Sequence, residues 1–107
     1  MKLQPENARI DISGENAIRI LQELELVLLS LHKMGAYYVG KDPLDYQRET
    51  TRFVDEWKVT DRLASARRLL SECFDRRLAD DDMDDLERAM ESLNCWSGPD
   101  STAEGDG

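Results

Sequence analysis

Apolar residues recur at helical spacing along four stretches of this chain, and the phase of the recurrence changes between them. In the first stretch Ala17, Ile20, Leu21, Leu24, Val27, Leu28 and Leu31 fall on one stripe of a helix. Ser13 or Gly14 opens that helix, Glu15 and Lys33 complement its dipole, and Gly35 is expected to stop it after Met34. A second ridge, Ile18, Leu26 and Leu29, lies away from the stripe. A helix that is apolar on two sides is either enclosed within its own bundle or shared with another subunit. This pattern predicts a homodimer with Ile18, Leu26 and Leu29 buried between subunits.

No glycine or proline interrupts Pro43 to Leu78, so propensity alone would permit one long helix. The hydrophobic phase does not. Tyr46, Thr50, Phe53, Val54 and Trp57 share a stripe, whereas Leu63, Ala66, Leu70, Cys73 and Phe74 would point the opposite way on a straight continuation. The chain is therefore expected to turn near Val59, giving helices over 43–58 and 61–78. Asp42 and Pro43 cap and begin the first of these, and Thr60 or Asp61 caps the second. Asp81 or Asp82 is expected to cap a fourth helix, with Met83, Leu86, Ala89, Met90 and Leu93 on its buried face and Trp96 as a hydrophobic stop.

Ala8 to Ser13 alternates apolar and polar residues, the period of an extended strand, yet no second strand pattern follows. A lone strand must lie along the helices as an arm or pair with its copy, because unpaired backbone groups are expensive to bury. The arm is the reading taken. The expected fold is thus all-α: an antiparallel bundle of about four helices with an extended N-terminal arm over residues 1–96. A disordered acidic tail over 97–107 follows, rich in Gly, Pro, Ser and acids.

A length of 107 residues suits one domain with one modest core. With 40% hydrophobic and 35% charged residues the composition is that of a soluble globular protein. No segment resembles a secretory leader, so the cytoplasm is the expected location. The most apolar stretch, Ile18 to Leu31, is broken by Arg19, Gln22, Glu23 and Glu25 and is too short to cross a bilayer. Cys73 and Cys95 are expected to be free thiols, because a fold-back near Asp80 would leave them too far apart to bridge.

The net charge of −9 is unevenly placed. Acids against bases number six to five over residues 1–42, seven to eight over 43–78, seven to one over 79–96, and three to none over 97–107. The run Asp80, Asp81, Asp82, Asp84 and Asp85 makes the C-terminal end an acidic pole. A field of this sign attracts cationic protein surfaces and repels nucleic acid and anionic membrane.

The same run invites a calcium reading, since Asp80, Asp82, Asp84 and Glu91 take loop positions one, three, five and twelve. The sixth position should be glycine and is Asp85, and a helical stripe runs through the loop. No metal site is therefore expected. His32 is the only histidine, no cysteine spacing suits zinc, and no phosphate loop or nucleophile motif appears. Neither catalytic residues nor a cofactor are assigned. Arg48, Arg52, Lys58, Arg62, Arg67, Arg68, Arg76 and Arg77 suggest a helix-turn-helix that meets phosphate, but neighbouring acids offset them almost one for one.

These observations lead to a non-enzymatic protein-binding module, an adaptor, small inhibitor or regulator. Asp80, Asp81, Asp84 and Asp85 would engage a basic partner surface, with Tyr37 and Tyr38 as a second contact element. The alternative is a nucleic-acid mimic that occupies the phosphate groove of a nuclease or DNA-binding complex.

Overall fold

The computed structural model describes residues 2–99, and the last part of the expected tail, residues 100–107, lies outside them. Within that range the fold is the all-α bundle, with four α-helices and no strand. Helix α1 spans Gly14–Tyr37, α2 Pro43–Glu56, α3 Val59–Ser71 and α4 Asp85–Glu91. A short 3-10 turn, Pro5–Asn7, interrupts the N-terminal arm.

Ser13 caps α1, its hydroxyl accepting from the Asn16 amide. The helix runs through Gly35 rather than stopping there, because Tyr38 N–H continues the ladder to the Met34 carbonyl and the Tyr38 ring packs 5.9 Å from Tyr46. The turn is made instead at Gly40, whose φ of +75° suits glycine. Asp42 then caps α2 with Pro43 in its first turn.

The reversed hydrophobic phase produces the expected break, placed at Trp57 and Lys58. Lys58 adopts the left-handed conformation (φ 51°, ψ 51°) and its carbonyl starts α3, so Thr60 and Asp61 are already inside the helix. Arg62 holds the break: its Nε donates to the Trp57 carbonyl at 2.7 Å and its Nη1 to Glu23 of α1 at 3.0 Å. Asp75, just beyond α3, meets Asn7, just before α1, so α3 runs antiparallel to α1. Phe53 of α2 is buried beside Ser30 and Met34 of α1. The body is a hairpin whose second limb is broken once, with α1 packed mainly along α3.

Helix α3 ends at Ser71, seven residues short of the expected Leu78, because the following segment pairs with the arm. Asn7 Nδ2 donates to the Asp75 carbonyl, the Asp75 amide donates to Asn7 Oδ1, and Gln4 Nε2 donates to the Arg77 carbonyl. The arm is thus held by polar side chains as well as by half-buried Ile10 and Ile12. Helix α4 stands apart from the other three. Its cap is Asp84, not Asp81 or Asp82, because Asp84 and Glu87 complete a capping box while Asp82 turns left-handed (φ 62°) in the preceding tight turn. Trp96 lies beyond the helix, exposed.

The chain is not compact. Its radius of gyration is 18.1 Å, against about 13 Å for a globular domain of this length. Among the described residues the buried apolar side chains are Phe53, Val59 and Ala66, and no large side chain is fully enclosed.

Candidate protein-interaction surface

The acidic run is drawn inward rather than displayed. Asp84 and Asp85, expected to face a partner, are only 4% and 2% exposed. Asp85 Oδ2 accepts from Asn7 Nδ2 and from the Gln4 amide, both at 2.9 Å, and Oδ1 accepts from Arg88 Nη1 at 2.7 Å. The Asn7 amide, helped by Gln4 and Arg88, holds this carboxyl below the usual range. Asp84 accepts from the Glu87 amide at 2.8 Å and from Arg76 Nε at 2.7 Å, and is lowered in the same way.

Arg88 organises the remainder. Its Nε and Nη2 fork onto the two oxygens of Asp81 at 2.7 and 2.8 Å, and Nη2 also reaches the Met83 carbonyl. These bonds hold Asp81 at about 2 and raise the guanidinium in turn. Of the four carboxylates expected to bind a partner, Asp80 stays exposed and Asp81 is half-consumed by Arg88. The residue that sequence reasoning missed is Asn7, whose hub position no local pattern announces; Asp84 and Glu87, by contrast, carry a legible capping-box spacing.

Tyr37 and Tyr38 sit at the end of α1, edge to face at 4.8 Å. Tyr38 turns back onto Tyr46, and desolvation raises its phenol. Tyr37 points outward, but Lys41 Nζ lies 4.4 Å over its ring and donates to its carbonyl. Tyr38 thus packs at the turn end of the hairpin, where α1 passes into α2.

An unpartnered apolar surface lies along the hairpin. On α1 the positions turned toward α2 and α3 are Ile20, Glu23, Val27, Ser30 and Met34, all half-buried. Beside them runs a second row, Ala17, Leu21, Leu24, Leu28, Leu31 and Gly35, spaced alternately four and three as in a coiled-coil seam. Its four leucines are exposed, Leu21 to 59% and Leu28 to 63%. On α3, Leu63 and Leu70 are exposed beside the inward Arg62 and Leu69.

Each exposed leucine of the two rows follows an inward residue by one position, a rotation of about 100° in the same sense along each chain. Because the helices are antiparallel, equal rotations open onto the same side of the hairpin. The α1 leucines and Leu63 and Leu70 therefore form one face, with Arg67 between the latter two. The ridge expected at a dimer interface is elsewhere: Ile18 and Leu29 are exposed on the back of α1, and Leu26 is half-buried.

Among the described residues no group of histidine, cysteine or acidic side chains is arranged to hold a metal ion, Cys73 and Cys95 are free, and no helix is long and apolar enough to cross a membrane. No family model matches the sequence, and neither a curated protein nor a solved structure matches it.

Proposed function

We propose that the protein is a non-enzymatic protein-binding module whose working surface is the apolar face of the α1–α3 hairpin. The observation that carries this reading is α1 itself, a helix of 24 residues with none fully buried and a complete leucine row facing outward. Contiguous apolar surface of this extent marks a site for another macromolecule. An acidic pole that engages a basic surface is less well supported, because Asp84 and Asp85 are committed to Asn7, Arg76 and Arg88. The same commitment weakens a nucleic-acid mimic, which needs free carboxylates at phosphate-like spacing.

The test is a photoreactive amino acid placed at Leu28, on the face, and at Arg19, off it, in cells that express the chain. Protein adducts at position 28 and none at 19 are expected. Equal yields at both positions, or none at either, would sink the reading.

A further inference from the structure

We propose that the partner on this face is a second copy of the chain, closing hairpin on hairpin into a four-helix bundle built of α1 and α3 from each copy. The proposal rests on the reading of that face as a protein-binding surface and names its occupant.

Area is the first argument. The chain exposes 8603 Å², whereas a folded monomer of 12.3 kDa exposes roughly 6100 Å². The excess is about 2500 Å², shared among the arm, the hairpin face and the segment that holds α4, and about a third of it on the face equals the roughly 800 Å² that each partner contributes to a stable interface. A second copy supplies the missing cover in the form the face already has, since leucines at alternating three and four spacing pack best into a like row. Two hairpins stacked by a two-fold axis give the helix number of an antiparallel bundle, with α2 carried in the connection between α1 and α3 of each copy.

Charge admits the same occupant. Residues 1–78, which contain the whole hairpin, carry equal numbers of acids and bases, so two hairpins can meet without net repulsion. The acidic excess lies after residue 78, beyond the hairpin in sequence. Arg67 can lay its stem on the apolar surface and keep its head at the rim.

Gly35 supplies an independent sign. Glycine inside a helix is destabilising relative to alanine, and nothing within the protomer requires it, because an added Cβ would meet no atom within 4 Å. It lies in the leucine row, where a missing side chain lets another backbone approach closely.

The test is sedimentation of the full chain and of three double variants, each checked for helicity by circular dichroism. The unmodified chain is expected at twice the 12.3 kDa protomer mass. Leu21→Glu with Leu28→Glu, and Leu63→Glu with Leu70→Glu, should each halve that mass, while Ile18→Glu with Leu29→Glu should leave it unchanged. A monomeric unmodified chain at sub-millimolar concentration overturns the second copy; adducts to another protein at position 28 would then leave the binding face standing. A dimer broken only by the Ile18 and Leu29 pair, or only by the α1 pair, overturns the four-helix closure. Isotope-filtered NOEs on a mixed labelled and unlabelled sample decide the point without substitution. Intermolecular contacts from Leu21 and Leu28 to the leucines of either row are expected, and contacts confined to Ile18 and Leu29 contradict it.

Discussion

The side chain of Asn7 pairs with the backbone of Asp75 as another strand would, donating to its carbonyl at 2.9 Å and accepting from its amide at 2.8 Å. The same Nδ2 also donates to Asp85 at 2.9 Å, so one buried amide joins the arm, the segment after α3 and the start of α4.

Replacing Asn7 by alanine removes the partner of the half-buried Asp75 carbonyl and amide and one of the three donors to buried Asp85. Each unsatisfied buried group costs about 1–3 kcal/mol, so Asn7→Ala should destabilise this node by on the order of 3 kcal/mol. Hydrogen exchange should show the loss in the amides of α4 and of Asp75 while those in the middle of α1 keep their protection.

The carboxylates at this node give it an acid limit. Asp81 is held at about 2, against an ordinary 3.8, and Asp84 and Asp85 are also lowered. Depressed folded-state values mean that the stabilisation is fully present above the ordinary carboxylate range. It is lost as the pH falls from about 4 toward 2. The Asn7 side-chain amide resonances should therefore hold constant from neutrality to about pH 4 and collapse below it.

Neutralising the acidic run should not be uniform in effect. Asp85→Asn loses a carboxylate that accepts three hydrogen bonds and should release the arm and lower the melting temperature. Asp80→Asn, at an exposed position, should leave both unchanged. Thermal melts of the two variants, compared with the parent, check the contrast.

Periodicity revealed α1, α2 and the reversal between α2 and α3, because each rests on residues close in sequence. The end of α3 and the role of Asn7 were not legible, since both depend on contacts between the two ends of the chain. For the same reason the acidic residues read as a surface: composition records the sign of the charge at Asp84 and Asp85 but not the arginines that meet it. The α1 stripe was seen in full. Its division into an inward row and an outward row appears only once α3 is placed alongside.

At Lys58 the left-handed backbone is imposed by the break and carries the strain of a side chain in that region. Lys58→Gly should stabilise the hairpin by up to about 1 kcal/mol, the greater freedom of the unfolded chain offsetting part of the relief. Lys58→Val should destabilise it. Urea denaturation midpoints will order the three proteins Gly, Lys, Val from most to least stable.

The central claim, that a second copy of the chain covers the hairpin face, is read most directly from the leucine methyl groups of the purified, unmodified chain in the presence of a soluble paramagnetic agent. Methyls of Leu21, Leu24, Leu28, Leu31, Leu63 and Leu70 should relax as slowly as the methyls of buried Val59, whereas Leu93 relaxes fast. Relaxation of the six at the rate of Leu93 would show an open face and contradict the account.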